Sequence, residues 1–371
     1  MTKINSFFKK DLLFTVSGVL ALGACLLGRV SMGFIDFHVI FTLLGLMGVI
    51  KVFERLGVLD YFAEKLIRIS NTNRSLIRNL TFLAFFSSMI LTNDIAILTL
   101  LPVFLKIVQK MPQFKGKIAG TTLLIVAANL GSSCLPFGNP QNLYLFEHYQ
   151  LSFINFCILM LPFFCLSVVV LLAACQLLSI EPLMIEVEHP PALNMKNLLL
   201  PAVAMLLMIL SVLHVIPYEV AVVLAVGLTF IADKGALKQI DYRLLGTFVF
   251  FFLIVGNLSE IPAFIAVIQR MMSSFLSVLL SSALLSQVIS NVPAALLLAP
   301  FTNQGSALIL GTNIGGLGTL LASLANLIGY KVFASYFPQE KKRLFQLFTL
   351  INLVFLAVFL LFFYLWYKLG G

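Results

Sequence analysis

Long apolar stretches separated by short charged segments dominate the chain. The uninterrupted ones lie at about residues 12–29, 36–53, 152–179, 197–215, 218–232, 244–259 and 344–366. A transmembrane helix needs roughly 20 predominantly apolar residues, so each stretch predicts one crossing of a bilayer. Apolar and charged residues alternate at helical spacing within 54–78, which predicts an interfacial helix on the cytoplasmic side.

The stretch 79–105 has a different pattern, because its only charged residue is Asp94, in the polar triplet Thr92-Asn93-Asp94 at its centre, and Lys and Arg clusters lie on both sides. It is too short to cross a bilayer twice. A single crossing would place one basic cluster outside, against the positive-inside rule. The pattern therefore predicts a re-entrant helical hairpin that enters from the cytoplasm and turns at Thr92-Asn93-Asp94. Irregular backbone at that depth is tolerated only where it is buried in protein or lines a watery cavity, so the turn predicts a site.

Residues 118–142 form an apolar stretch that cannot be one regular helix. Two Pro, two Gly and three Asn fall between Asn129 and Asn142, and Pro in a helix interior costs roughly 3 kcal/mol. The pattern predicts a broken helix. No charged residue occurs from Met271 to Tyr330, and the polar positions in that segment predict a second hairpin over 273–300 and a second broken helix over 307–330.

The spacing of polar residues indicates an internal duplication. Thr92 precedes Pro102 by ten residues, as Ser290 precedes Pro300. Two Asn-x-Gly motifs show a second matched spacing. Asn129, the first residue of one motif, precedes Asn142 by thirteen residues, and Asn313, the first residue of the other, precedes Asn326 by thirteen. We expect repeat 1 at 1–180, a linker loop and connecting span at 181–216, and repeat 2 at 217–371.

An odd number of crossings between equivalent positions inverts the second repeat relative to the first. Inverted repeats with discontinuous helices that meet near the midplane are typical of secondary transporters. The predicted fold is an all-α polytopic membrane protein of about nine full spans plus two hairpins. We expect it in the plasma or inner membrane, with a cytoplasmic N-terminus and an external C-terminus.

Composition supports this fold class and excludes others. The 371 residues are 60% hydrophobic and 11% charged, with a mean hydropathy of +1.05, whereas soluble domains are about 25% charged. The net charge of +9 comes from Lys and Arg between apolar segments, where they set topology, so no nucleic-acid partner is expected. The five Cys lie in apolar segments without CxxC spacing and are interpreted as core residues. No HExxH or Ser/His/Asp arrangement is present, so neither an enzyme nor a cofactor is expected.

The candidate substrate- or ion-binding residues lie at the two hairpin turns and the two helix breaks. They are Thr92, Asn93, Asp94, Asn129, Asn139, Asn142, Ser290, Asn291, Asn313, Ser323 and Asn326. The glycines expected to permit the backbone at the site are Gly131, Gly138, Gly315, Gly316 and Gly318. Asp94 is the one acid in either hairpin, and an acid at bilayer depth usually serves an ion or a proton. The alternative for Asp94, and for the Thr, Ser and Asn at the turns, is a structural helix cap.

Together these motifs resemble the ion transporter superfamily, which includes divalent-anion/sodium symporters, citrate transporters, arsenite/antimonite permeases and some sodium/proton antiporters. The sodium/dicarboxylate symporters carry Ser-Asn-Thr at both turns, whereas this chain has Thr92-Asn93-Asp94 and Ser290-Asn291-Val292. Asn93-Asp94, Asn291-Val292-Pro293 and Ser323-Leu324-Ala325 are more similar to the arsenite permeases. The resemblance implies a homodimer with a fixed scaffold and a moving transport domain.

The leading hypothesis is a secondary active transporter of a small anion or oxyacid, arsenite- or citrate-permease-like and coupled to protons or sodium. A sodium would be bound near Asn93, Asp94 and Asn291; no other metal is expected. The alternative is a sodium/proton antiporter in which Asp94 carries the cation. An ion channel is disfavoured because no repeated pore ring is visible.

Overall fold

The computed structural model describes residues 12–111, 113–183 and 193–370. Eighteen α-helices form in the described residues, and we number them in chain order. In the first half they are α1 (Leu12–Leu27), α2 (Phe37–Arg55), α3 (Val58–Arg68), α4 (Asn73–Leu91), α5 (Asn93–Gln109), α6 (Lys117–Ser132), α7 (Pro140–His148) and α8 (Phe153–Gln176).

The second half continues with helices of similar lengths. They are α9 (Met195–Val212), α10 (Tyr218–Ala232), α11 (Lys234–Leu237), α12 (Tyr242–Leu258), α13 (Pro262–Met271), α14 (Phe275–Ile289), α15 (Asn291–Leu298), α16 (Gly305–Gly315), α17 (Leu324–Tyr336) and α18 (Lys341–Lys368). Short 3-10 turns occur at Met32–Phe34, Ala299–Phe301 and Pro338–Glu340.

The all-α polytopic fold is confirmed. Among the described residues, four helical segments are long and apolar enough to cross a membrane unaided: Phe37–Arg55, Phe153–Gln176, Met195–Val212 and Pro338–Lys368. The pair α12–α13 would add a fifth but bends by 104° at its break. The remaining apolar helices are shorter, as expected where a crossing is interrupted.

Each predicted hairpin and each predicted broken helix corresponds to a pair of helices. Hairpin 1 is α4–α5, joined at Thr92, and hairpin 2 is α14–α15, joined at Ser290. Broken helix 1 is α6–α7, with break 1 at residues 133–139, and broken helix 2 is α16–α17, with break 2 at residues 316–323. We call Thr92–Asp94 tip 1 and Ser290–Val292 tip 2.

The helices just before the two hairpins differ from the sequence-based expectation. The interfacial helix predicted within 54–78 is only α3, because the chain breaks at residues 69–72 and α4 starts there with a capping box between Thr72 and Ser75. Hairpin 1 is therefore longer than 79–105. Helix α13 was not predicted at all. It occupies the place in the second half that α3 has in the first, and Pro262 at its first position favours a new helix start there.

The linker loop predicted from Ile180 to Lys196 is fixed at its start. The Asn73 N–H donates to the Glu181 carbonyl oxygen at 3.0 Å, and the Glu181 N–H donates to the Asn73 Oδ1 at 2.8 Å. Leu183 N–H donates to the Asn71 carbonyl oxygen. Residues 184–192 of the predicted linker lie outside the described residues.

The chain divides into two compact units. The first contains α1, most of α2, α9 to α13 and residues 296–303; the second contains α3 to α8, α14, residues 291–295 and α16 to α18. Each unit takes segments from both predicted repeats, so the repeat boundaries stay a prediction. Both tips and both breaks belong to the second unit.

Within the second unit, each hairpin packs closely on the broken helix of its own half, α4 on α6 and α14 on α16. Glycine permits the contact. A Cβ on Gly131 would lie 1.9 Å from the Phe85 carbonyl oxygen, and one on Gly315 would lie 2.6 Å from the Ser286 Oγ. A Cβ on Gly131 would also lie close to the Ser88 Oγ. The two serines are at equivalent positions, because Ser88 is four residues before Thr92 and Ser286 is four residues before Ser290.

Candidate functional site

Both tips have unusual backbone conformations. Thr92 has φ 69° and ψ 156°, and Ser290 has φ 77°. Such conformations cost about 1–3 kcal/mol for residues other than glycine and occur mostly at functional sites. The shared strain at equivalent positions supports both the duplication and a functional role for the tips.

The residues after the strained positions start new helices in the same way. The Oδ1 of Asn93 accepts a hydrogen bond from the Asp94 N–H at 3.0 Å, and the Oδ1 of Asn291 accepts one from the Val292 N–H at 3.0 Å. Thr92 is the N-cap residue of α5 but makes no side-chain cap bond. Asp94 is half-buried in the first turn of that helix and is not its cap residue.

The asparagines of the two breaks pair across the halves in a reciprocal pattern. Asn129 on α6 donates from Nδ2 to the Oδ1 of Asn326 at 2.7 Å, and Asn313 on α16 donates from Nδ2 to the Oδ1 of Asn142 at 2.6 Å. Helices α6 and α16 are the first segments of the two broken helices, and Asn142 and Asn326 lie on the second segments, α7 and α17. The first segment of each broken helix is therefore hydrogen-bonded to the second segment of the other. All four residues are buried.

A second reciprocal pair joins the residues just before α7 and α17. The Asn139 Nδ2 donates to the Oδ1 of Asn313 at 3.1 Å, and the Ser323 hydroxyl donates to the Oδ1 of Asn129 at 3.1 Å. Asn139 also caps α7 by accepting from the Asn142 N–H at 2.9 Å. These six residues, Asn129, Asn139, Asn142, Asn313, Ser323 and Asn326, are the asparagine network.

Tip 1 is bonded to this network, and tip 2 is bonded to the residue next to it in break 2. The Asn93 Nδ2 donates to the Oδ1 of Asn129 at 2.9 Å, where Ser323 also donates. The Asn291 N–H donates to the carbonyl oxygen of Ala322, the residue before Ser323, at 2.9 Å. Tip 1 and tip 2 therefore converge on one place in the second unit.

Three of the five glycines predicted to permit the backbone, Gly138, Gly316 and Gly318, lie in the two breaks. Gly138 is in break 1, where a Cβ would be 2.3 Å from the Ser132 carbonyl oxygen; one on Gly316 would be 3.0 Å from the Asn291 Nδ2. Gly318 has φ 102°, a conformation that favours glycine. These contacts agree with the proposed role of glycine in letting polar groups approach the backbone.

Sequence reasoning missed Gln141 and Gln287. Gln141 is buried on α7, with its Nε2 3.5 Å from the Oδ1 of Asn313. Gln287 bridges hairpin 2 to break 2 through several hydrogen bonds. Its position as a polar residue in an apolar segment, three before Ser290, was the available signal.

No group of three or more His, Cys, Asp or Glu suited to hold a metal ion occurs within residues 12–111, 113–183 and 193–370. The oxygen-rich side chains of Asn93, Asp94 and Asn291 are of the type that binds a hard cation such as sodium. Sodium binding at these residues remains a prediction.

Comparisons with known proteins agree with the geometry. A family model described as citrate transporter matches residues 8–304. The chain is 30% identical over 329 residues to the uncharacterized transporter MJ0456 of Methanocaldococcus jannaschii, covering 88% of this chain and 89% of the relative. It is 31% identical over 312 residues to the inner membrane protein YbiR of Escherichia coli, covering 80% of each.

The fold is similar to that of a solved transporter. The crystal structure of the Alcanivorax borkumensis YdaH transporter, which is described as having an unusual topology, superposes with a TM-score of 0.58. The match covers 94% of this chain and 88% of that one at 15% identity. At this identity the similarity concerns the fold alone.

Proposed function

Because this chain belongs to the citrate transporter family, we propose that it is a secondary active transporter of a small anion or oxyacid, coupled to protons or sodium. The observation that carries the proposal is the convergence of two strained hairpin tips on one asparagine network. Helices α5 and α15 both begin there, and helix N-termini supply N–H donors and partial positive charge to an anion.

The residue types at the site favour a small substrate. Neither 79–105 nor 271–330 contains Lys or Arg, so no guanidinium is available in these segments to pair with a carboxylate bidentately. Amides, hydroxyls and backbone N–H groups suit a small anion or a neutral oxyacid better than a tricarboxylate.

Coupling is assigned to Asp94. It lies beside Asn93 and in the first turn of α5, where it can hold a proton or, with Asn93 and Asn291, a sodium ion. We further propose an elevator-type mechanism in which the second unit moves as a body, because both tips and both breaks belong to it. A homodimer would supply the fixed scaffold that such movement requires.

The acid at tip 1 also favours a second candidate, a sodium/proton antiporter in which Asp94 carries the cation itself. Proteoliposomes containing the purified chain separate the two. We expect sodium- or pH-driven uptake of at least one member of a panel of arsenite, sulfate and carboxylates including citrate. Sodium/proton exchange with no panel substrate would favour the antiporter, and flux that does not saturate would favour a channel. Absence of flux under every gradient would contradict transport of this panel.

The proposed location is the inner or plasma membrane, with the N-terminus in the cytoplasm and the C-terminus outside. The Lys and Arg distribution supports this orientation. The similar Escherichia coli protein is named an inner membrane protein.

A further inference from the structure

The Gln287 side chain joins hairpin 2 to break 2. Its Nε2 shares two hydrogens among three carbonyl oxygens, those of Gly315 at 2.9 Å and Leu317 at 3.0 Å in and beside break 2 and that of Ala283 at 3.0 Å on its own helix. Its Oε1 accepts from the Thr319 N–H at 2.9 Å. The Thr319 hydroxyl donates in return to the Gln287 carbonyl oxygen at 3.1 Å. Two stretches of chain about thirty residues apart are thus held by one side chain.

Tip 2 is held to the other end of the same break. The Asn291 N–H donates to the Ala322 carbonyl oxygen at 2.9 Å, and the Ser290 hydroxyl lies 3.4 Å from that oxygen. Opening tip 2 would separate these groups and those of Gln287 together. Backbone groups left unpaired away from water are costly, so this movement is opposed.

Break 2 is shaped to receive the Gln287 amide. Gly318 has φ 102°, and a Cβ there would lie 2.2 Å from the Gln287 Oε1. Position 318 therefore requires glycine for two reasons: its positive φ, and the lack of space for a Cβ beside the Gln287 amide. The spacing that aligns Asn129 with Asn313 places Cys134 opposite Gly318.

In hairpin 1, the residue at the position equivalent to Gln287 cannot form this bridge. The spacing that aligns Thr92 with Ser290 places Met89 opposite Gln287, and a thioether has no N–H to donate. The first half thus has Met89 and Cys134 at the two positions where the second half has Gln287 and Gly318. The two halves differ in how their tips are attached although their backbones correspond.

We propose that Gln287 is a positioning residue that fixes tip 2 to break 2, so that substrate enters and leaves the site by movement of tip 1. This inference rests on the proposed transport function. Within the second unit the two tips then have different roles: tip 2 is the fixed wall of the site, and tip 1, which carries Asp94, opens and closes over it, in addition to the movement of the unit as a whole.

Amide hydrogen exchange of the full chain in lipid nanodiscs tests the inference. The matched reporters are the amides of Asp94 and Val292, each bonded to the Oδ1 of the preceding Asn at 3.0 Å. We expect a protection factor about tenfold higher for Val292 than for Asp94. Gln287→Met, which introduces the residue found at the equivalent position, should lower protection at Thr319 and Val292 together while Asp94 is unchanged.

Met89→Leu is the control and should leave all three amides unchanged. Thr319→Val, a milder change that removes one bond of the bridge, should shift Thr319 and Val292 in the same direction by a smaller factor. Equal protection of Asp94 and Val292 in the unmodified protein would overturn the inference. So would loss of protection at Thr319 alone in Gln287→Met.

A merely structural role predicts a different result, because general destabilisation would also lower protection in α8, which is distant in sequence from either tip. Exchange is measured without any transported substrate. Equal protection in a protein that transports a panel substrate would therefore refute this inference while leaving the proposed function intact. The expected protection pattern without any transport would refute the proposed function instead.

Discussion

The buried amides of the asparagine network use most of their hydrogen-bonding capacity on protein groups. The Asn129 Oδ1 accepts from both Asn93 and Ser323, and an amide oxygen has two lone pairs. The Asn326 Nδ2 donates both hydrogens, to the carbonyl oxygens of Gly316 and Thr319. We therefore expect ligand contacts in this conformation to involve the tips more than the breaks.

Asp94→Asn tests the coupling role. The amide keeps the shape and an oxygen but cannot titrate, so we expect the variant to fold and to retain downhill exchange of substrate while losing pH- or sodium-driven accumulation. In proteoliposomes, uptake assays measure the driven accumulation and counterflow assays measure the downhill exchange. Asp241→Asn, whose side chain caps α12 and can still do so as Asn, should transport as the unmodified protein does. Normal accumulation by Asp94→Asn, with the same pH and sodium dependence, would reduce Asp94 to a structural role.

Gly131→Ala tests the close packing beneath tip 1. The new Cβ would meet the Phe85 carbonyl oxygen at 1.9 Å, which only a backbone shift can relieve, so we expect destabilisation by about 1–3 kcal/mol. The melting temperature in detergent should fall accordingly. Gly227→Ala is the matched control, since nothing lies within 4 Å of a Cβ there. An unchanged melting temperature for Gly131→Ala would show that the two helices separate easily.

At the scale of elements, reciprocal hydrogen bonds join the two broken helices. The sequence predicted both hairpins and both breaks, because Pro, Gly and Asn in apolar stretches conflict with regular helix. It did not predict that Asn129 pairs with Asn326, since hydrogen bonds between residues so far apart depend on how the helices pack. Helix α13 was missed because its short amphipathic pattern directly follows an apolar span, from which it bends by 104°.

A double-mutant cycle measures this pairing. Asn129→Ala and Asn326→Ala each leave a buried amide group unpaired, so each should destabilise, and the double variant should destabilise by less than their sum. We expect a coupling free energy of about 0.5–2 kcal/mol from thermal or denaturant unfolding. Asn352 is an equally buried control on α18, whose Nδ2 donates within its own helix to the Phe348 carbonyl oxygen. The cycle of Asn129 with Asn352 should be additive; an additive cycle for Asn129 with Asn326 would contradict the pairing.

For the whole molecule, the inverted arrangement makes a prediction about access from each side of the membrane. In a background without the five native cysteines, Gln113→Cys should react with an impermeant thiol reagent only from the cytoplasm, and Asn303→Cys only from outside. Both positions are exposed in the structure. Spheroplasts and inverted vesicles provide the two orientations. Reaction of both positions from one side would show that the two halves are not inverted.

The division into two units could be anticipated only in part. The resemblance implied a scaffold and a transport domain, and the sequence located the hairpins and breaks that share the second unit. It did not indicate that residues 296–303 leave that unit, because the apolar run from Val292 to Phe301 carries no sign of a change of neighbours. Hydrophobic residues mark burial without specifying the partner.

The reciprocal asparagine pairs also constrain how the chain is made. Asn129 and Asn326 are 197 positions apart, so at a synthesis rate of roughly 5–20 residues per second the partner arrives about 10–40 s later. Through that interval Asn129 is already in the apolar part of a nascent chain whose matching amide does not yet exist. Until the second broken helix is synthesised, the polar groups of the first must be hydrated or be bound by the translocon or an insertion factor. The hydrogen bonds at the polar centre of the protein therefore form only near the end of translation.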